Sequence, residues 1–170
     1  MMQKQITKHS RITLREVTKE TVVDVCRLSP QEEQKQFVAS NAQSIAEAHF
    51  EPDYAWLRAI YAEDTPVGFV MLGIDPRESF AFLWRFMIDK KYQTLGFGRK
   101  ALKLVLHHLR SQTNVCRVVT SYHQGQGDPS GFYKKLGFEE VDDQEDWGDL
   151  GREMIALGET RLELKKLSCL

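Results

Sequence analysis

Between Ala81 and Ile88 the chain is almost continuously apolar, and polar residues return as a block only at Asp89-Lys90-Lys91. An apolar run of that length, closed by turn residues, predicts a buried strand. A loop containing Gly96 and Gly98 follows. Beyond it Ala101, Leu102, Val105, Leu106 and Leu109 recur at helical spacing and predict a helix with one apolar face. Strand, glycine-containing loop and amphipathic helix form the unit around which the remaining elements are arranged.

The same reading applied from the N-terminus predicts a strand over 12–17 and helical segments over 19–27, 30–40 and 44–50, with Asn41 or Ser44 as an N-cap. Residues 55–62 and 67–74 read as two strands joined by a tight turn at Glu63-Asp64-Thr65-Pro66. After the central unit come a strand over 116–122, a short helix over 130–136 and a strand near 138–141. A final strand over 160–166 places Leu162 and Leu164 on one side. Strands and helices mix without strict alternation, so the expected fold is α+β, a single domain over 1–170 built on a mixed, mostly antiparallel sheet.

Composition narrows the class. With 170 residues, 42% hydrophobic and 28% charged, the chain is an ordinary globular domain able to bury roughly 70% of its unfolded surface. No apolar run approaches a membrane span, and the N-terminus lacks an apolar signal core. Cys26, Cys116 and Cys169 are dispersed and odd in number, which points to reduced thiols and a cytoplasmic protein. The net charge of −1 argues against nucleic acid as a partner. Its distribution is uneven: residues 139–153 hold eight acids against one base, leaving the rest of the chain at +6. A basic body suits a polyanionic ligand and an acidic lip a cationic one, although a solvated loop has the same composition.

The loop carries the chemistry. A helix N-terminus presents unpaired N–H groups and the positive end of its dipole, which favours an anion. Gly96 and Gly98 allow close backbone approach, and Arg99 and Lys100 add charge. Arg99-Lys100-Ala101 follows Gly98 where a Walker A loop needs Lys-Ser/Thr, so that reading fails. Gly96-x-Gly98-x-x-Ala101 matches a dinucleotide fingerprint by letter. Yet seven residues separate it from Ile88, and the next strand lacks the required acid. The third pattern, Gln/Arg-x-x-Gly-x-Gly/Ala, holds the pyrophosphate of coenzyme A, and Gln93-Thr94-Leu95-Gly96-Phe97-Gly98 satisfies it.

At these residues the chain resembles motif A of the GNAT superfamily of N-acetyltransferases. Ser130-Gly131-Phe132-Tyr133-Lys134-Lys135-Leu136-Gly137-Phe138 resembles that family's short helix and Tyr-x-x-x-Gly-Phe signature. The likeness covers roughly residues 55–141. Arg85-Phe86-Met87-Ile88-Asp89 and Val67-Gly68-Phe69-Val70-Met71 further resemble the spermine/spermidine acetyltransferase branch. The resemblance implies direct transfer of an acetyl group from acetyl-coenzyme A to a small-molecule amine, with a polyamine favoured. Another amine (a peptide N-terminus, an amino acid or an aminoglycoside) or a non-catalytic acyl-coenzyme A-binding module are the alternatives.

It also implies roles. The backbone of Leu95, Gly96, Phe97, Gly98, Arg99 and Lys100, after Gln93 and Thr94, would hold the pyrophosphate. Phe86, Met87 and Ile88 would pair with pantetheine like an extra strand where the sheet splays. Tyr133 matches the general acid that protonates the departing thiolate; a phenol near pKa 10 is protonated at neutral pH. Thr94 stands where the family often has Gly, Leu95 where it often has a base, and Gln126 where it often has Asn. Glu47 and Glu51 are candidates on the substrate side for the group that accepts the amine's proton. The five histidines show no metal-ligand spacing, and no nucleophile elbow occurs, so neither a metal nor an acyl-enzyme is expected. A homodimer is the commonest assembly and the default expectation.

Overall fold

The structure, a computed structural model, describes residues 5–111, 115–141 and 160–165. In chain order it contains β1 (Ile12–Arg15), α1 (Val22–Arg27), α2 (Asn41–Phe50), β2 (Ala55–Ala62), β3 (Thr65–Ile74) and β4 (Phe80–Ile88). There follow α3 (Phe97–Arg110), β5 (Arg117–Tyr122), α4 (Ser130–Lys134), β6 (Glu139–Val141) and β7 (Thr160–Lys165). The strands form one seven-stranded sheet in the order β1-β2-β3-β4-β5-β7-β6. Every neighbouring pair is antiparallel except β4 and β5. This is the mixed α+β sheet expected from the chain's pattern.

The two faces of the sheet are covered by different helices. On one face the apolar stripe of α3, from Phe97 through Ala101, Leu102, Val105 and Leu109, packs on Ile60, Val70, Leu72, Leu83 and Val118. Tyr133 and Phe138 complete that core. On the other face α1 and α2 bring Val25 and Ala48 against Ala59, Phe69, Met71 and Met87. At roughly 25 cal/mol per Å² of apolar area removed from water, such side chains each contribute about 1.5–3 kcal/mol when fully buried.

The departures from expectation lie mainly in the first fifty residues. Segment 30–40 is not a helix; only a short 3₁₀ turn, Glu32–Gln34, forms. Contacts with the loop after β4 hold this segment: Lys90 N–H donates to Ser29 O, Ser29 N–H donates to the Asp89 carboxylate, and Gln93 Nε2 donates to Gln34 Oε1. The N-cap of α2 is Ser40, whose side chain accepts from Gln43 N–H. The two expected caps, Asn41 and Ser44, are buried inside the helix; Asn41 Nδ2 donates to Val25 O at 2.8 Å and Ser44 Oγ to Ser40 O at 3.0 Å. Cys26 is free, whereas Cys116, just before β5, is disulfide-bonded, which corrects the expectation of reduced thiols. Among the described residues no helix is long and apolar enough to cross a membrane.

Candidate functional site

The strands β4 and β5 pair only at Phe80–Arg117, Ala81–Val118 and Phe82–Val119. Beyond them β4 continues to Ile88 against β3, and β5 continues to Tyr122 against β7. Between the two strands the sheet opens into a wedge. Asp89 N–H donates to Val67 O on the β3 side at 2.8 Å. Because main-chain groups alternate along a strand, those of Phe86 and Ile88 face the wedge and those of Met87 face β3. The Met87 side chain is buried on the opposite face, where Asn41 Nδ2 lies 3.8 Å from its sulfur.

A cleft of about 460 Å³ lies beside the end of β4. Its walls are the end of β4, the loop into α3, the segment Pro30–Val38, and Phe132 and Tyr133 of α4. Of the cofactor-binding residues expected from the sequence, Leu95 and Lys100 alone do not line it. Leu95 packs on the core. The Lys100 ammonium donates to Lys8 O at 2.6 Å, and its N–H bonds to Gly96 O at 3.2 Å as the first rung of the helix. Neither Lys100 group is directed to an anion at the helix start, contrary to the expected charge contribution.

The first turn of α3 retains what an anion requires. Gly96, the N-cap, is left-handed at φ 76°, and the N–H groups of Phe97, Gly98 and Arg99 precede the first intrahelical bond and have no acceptor within the helix. A Cβ at Gly98 would stand 3.3 Å from the Phe132 ring and 3.6 Å from Ile88 Cγ1, so the glycine sets how closely helix, strand and α4 approach. Thr94 also has a left-handed φ of 67°, the conformation that a glycine adopts without cost. Gln93 Nε2 donates to Ile88 O at 3.0 Å and to Gln34 Oε1 at 2.7 Å. The buried Asp89 carboxylate accepts from Ser29 N–H at 2.9 Å and Lys91 N–H at 3.0 Å. Arg99 lines the cleft and is exposed.

Tyr133 is 6% exposed, between the rings of Phe132 and Phe138. Burial pushes its phenol up to about 12, and a hydrogen bond with the Thr120 side chain acts in the opposite direction. Thr120 Oγ1 donates to Leu83 O at 3.0 Å near the vertex of the wedge. A phenol held protonated there can donate to a charge developing nearby. Asp128 supports α4 from the cleft rim, accepting from Ser130 and from Gly125 N–H; the Ser130 hydroxyl chiefly holds its carboxyl below the usual carboxylate value. Asp128-Pro129-Ser130 was readable as a helix start, whereas Thr120 and Gln34 carried no local signal. Gln126 is exposed and outside the cleft.

Glu47 and Glu51 do not line the cleft. Glu47, on α2, accepts from Arg85 Nη2 at 2.9 Å and from Gln43 Nε2 at 2.8 Å. Of the acidic run, Glu139 and Glu140 are exposed, with Glu140 paired to Lys134 at 2.6 Å; Asp142 to Glu153 lie outside the described residues. Among the described residues no cluster of His, Cys, Asp and Glu could hold a metal ion.

Comparison with known proteins gives a consistent assignment. A sequence model of the acetyltransferase (GNAT) family matches residues 20–138. A spermine/spermidine N(1)-acetyltransferase of Bacillus subtilis (strain 168) is 27% identical over 134 residues, covering 75% of this chain and 88% of that one. In fold, the chain is similar to a spermidine N-acetyltransferase from Vibrio cholerae solved with CoA and spermine. That match has TM-score 0.67 and 14% identity and covers 91% of this chain and 95% of that one. It is similar likewise to Ard1 from Thermoplasma volcanium, at TM-score 0.65 and 20% identity over 92% of this chain and 99% of that one.

Proposed function

The chain belongs to the acetyltransferase (GNAT) family, and from that premise we propose that it moves the acetyl group of acetyl-coenzyme A to a primary amine, with a polyamine such as spermidine or spermine as acceptor. The observation that carries the reading is the parting of β4 from β5, with the buried Tyr133 and the first turn of α3 lining one cleft beside the end of β4. The polyamine is favoured by the name of the Bacillus subtilis relative.

Bound acetyl-coenzyme A supplies an activated acyl thioester. The N–H groups of Phe97, Gly98 and Arg99 hold its pyrophosphate, with the Arg99 side chain as counter-ion. The main-chain groups of Phe86 and Ile88 complete a strand-like pairing with pantetheine, and an N–H there polarises the thioester carbonyl. Tyr133 donates a proton to the leaving sulfur. The accepting amine is mostly charged at neutral pH and must lose a proton first; Glu47 and Glu51 are the carboxylates nominated for it. Arg85 and Gln43 already engage Glu47, so Glu47 serves through a bound water or after its ion pair opens.

The same reading makes residues 1–170 one N-acetyltransferase domain, cytoplasmic, working without nucleic acid or membrane and assembling as a homodimer. The Cys116 disulfide runs against the cytoplasmic part, since disulfides are rare in reducing compartments. The test is acetyl transfer from acetyl-coenzyme A across a panel of amines. Polyamines should give the highest kcat/KM. A better aminoglycoside, amino acid or peptide acceptor would reassign the substrate, and acetyl-coenzyme A binding without transfer to any amine would leave a binding module.

A further inference from the structure

Gln34 is the inward residue of the 3₁₀ turn Glu32–Gln34: Glu32 and Glu33 are exposed, whereas Gln34 lines the cleft. Its side chain accepts from Gln31 N–H at 3.3 Å and from Gln93 Nε2 at 2.7 Å, and Gln93 Nε2 also donates to Ile88 O at 3.0 Å. The main chain fixes which end of each amide is which. Gln31 N–H can only donate, so Gln34 presents Oε1. Ile88 O can only accept, so Gln93 presents Nε2, and both protons of that nitrogen are used. An unbroken chain of hydrogen bonds therefore runs from the 30–38 segment to the last carbonyl of β4. The segment is also held on its other side, since a Cβ on Gly125 would stand 3.3 Å from the Phe37 ring.

The peptide between Ile88 and Asp89 is bonded in both directions. Its N–H donates to Val67 O of β3 at 2.8 Å, and its oxygen, on the wedge side, accepts from Gln93. That oxygen is where a chain pairing with β4 would donate if the position were open. With the glutamine amide seated there, the main-chain groups that β4 offers next are Ile88 N–H and those of Phe86.

We propose that Gln34 is a positioning residue for the pantetheine arm: by locking the Gln93 amide onto Ile88 O, it fixes where along β4 the arm pairs. The inference rests on the acetyl-coenzyme A reading above. Strand pairing repeats every two residues, so an arm without this stop finds an equivalent set of partners one repeat on, about 7 Å toward the end of β4. A thioester displaced that far no longer meets the group that protonates its sulfur. The nucleotide end does not depend on the stop, because its diphosphate is held by the first turn of α3 and not by β4.

The substitution Gln34→Met keeps the side-chain length and removes the acceptor. With the arm shared between two registers, kcat for transfer to spermidine, or to the amine that the panel ranks above it, should fall about fivefold, the size of one neutral hydrogen bond. The KM for acetyl-coenzyme A should not rise, since a slipped arm still fills the cleft. Calorimetry should give an unchanged Kd for phosphoadenosine diphosphate, the part of coenzyme A without pantetheine. Gln34→Glu still accepts from both N–H groups and should restore kcat. In the Gln93→Met background Gln34→Met should cost nothing more, because residues acting through one another are not additive. Weaker binding of phosphoadenosine diphosphate, a raised KM with kcat intact, losses that multiply, or a Gln34→Glu protein as slow as Gln34→Met would each overturn the proposal. A wild type that acetylates no amine would overturn the proposed function, and this inference with it. Thermal unfolding establishes that each variant is folded, and Gln34→Leu replaces the methionine variant if that one does not fold.

Discussion

Replacing Gly98 with aspartate separates anion binding from folding. The added Cβ would lie 3.3 and 3.4 Å from two Phe132 ring carbons and 3.6 Å from Ile88 Cγ1. Contacts this tight require Phe132 to yield by a few tenths of an ångström. Overpacking costs about 1–3 kcal/mol, against about 1 kcal/mol recovered by removing a helical glycine. A carboxylate in the first turn of α3 is itself favoured by the helix dipole, by about 0.3–1 kcal/mol. The free protein should therefore stay folded, with stability changed by no more than about 2 kcal/mol. Binding behaves differently: two unit charges about 5 Å apart repel by about 3 kcal/mol at an effective dielectric of about 20. Screening leaves at least about 1.4 kcal/mol, a tenfold rise in the acetyl-coenzyme A Kd. Calorimetry on wild type, Gly98→Ala and Gly98→Asp divides the steric part from the charge, and the charge part should shrink in high salt. A folded Gly98→Asp protein with the wild-type Kd would remove the α3 start from the binding site.

Three further outcomes follow from the same geometry. Tyr133→Phe should keep fold and cofactor affinity while lowering kcat about 10²-fold, the low end for a general acid because a thiolate leaves readily; an unchanged kcat sinks the role. Thr94→Gly should raise stability by about 0.5–1 kcal/mol in chemical denaturation, since relief of left-handed backbone exceeds the added flexibility of the unfolded chain; a loss of stability refutes the strain. His108, stacked on Trp56 at 4.4 Å, is held below the ordinary histidine value by burial first and by Arg58 second. Its neutral form is the folded one, so its contribution is complete above the unfolded value near 6.5 and lost as pH falls through the lower folded value. Melting curves from pH 7.5 to 5 should show that loss in wild type and less of it in His108→Gln, and parallel profiles would contradict it.

What was legible in the sequence was local. The stripe Ala101, Leu102, Val105, Leu109 and the loop Gln93–Gly98 declare themselves within one window, and α3 with its left-handed Gly96 follows. The 30–40 segment failed for the opposite reason. The N–H of Ser29, just before it, is held by Asp89 and its Gln34 side chain by Gln93, about sixty residues away in sequence, and no local periodicity encodes that. Lys100 read as a charge for the anion because it follows the glycines; one turn into the helix it already points at the carbonyls of Lys8 and Ser10. Tyr133 was visible from its motif, but the parting of β4 from β5 was not, because which strands pair is not encoded in any local window.

The parting of those strands has its origin in β4. Arg85 pairs with Met71 and Leu83 with Leu72, so Trp84 is an extra residue opposite β3. A bulge bends a strand and increases its right-handed twist, and this one follows closely on Phe82, the last residue paired with β5. The extra residue also resets the alternation of side chains. Leu83, Phe86 and Ile88 all pack on the α3 side, and Met87 on the other. In an unbroken strand Phe86 and Ile88 would share the face opposite Leu83, and Arg85 would be forced into the apolar core beneath α3. With the bulge, Arg85 reaches Glu47 on α2 at 2.9 Å. One inserted residue thus opens the wedge, keeps two apolar side chains beneath it, and sends a guanidinium to the α2 face.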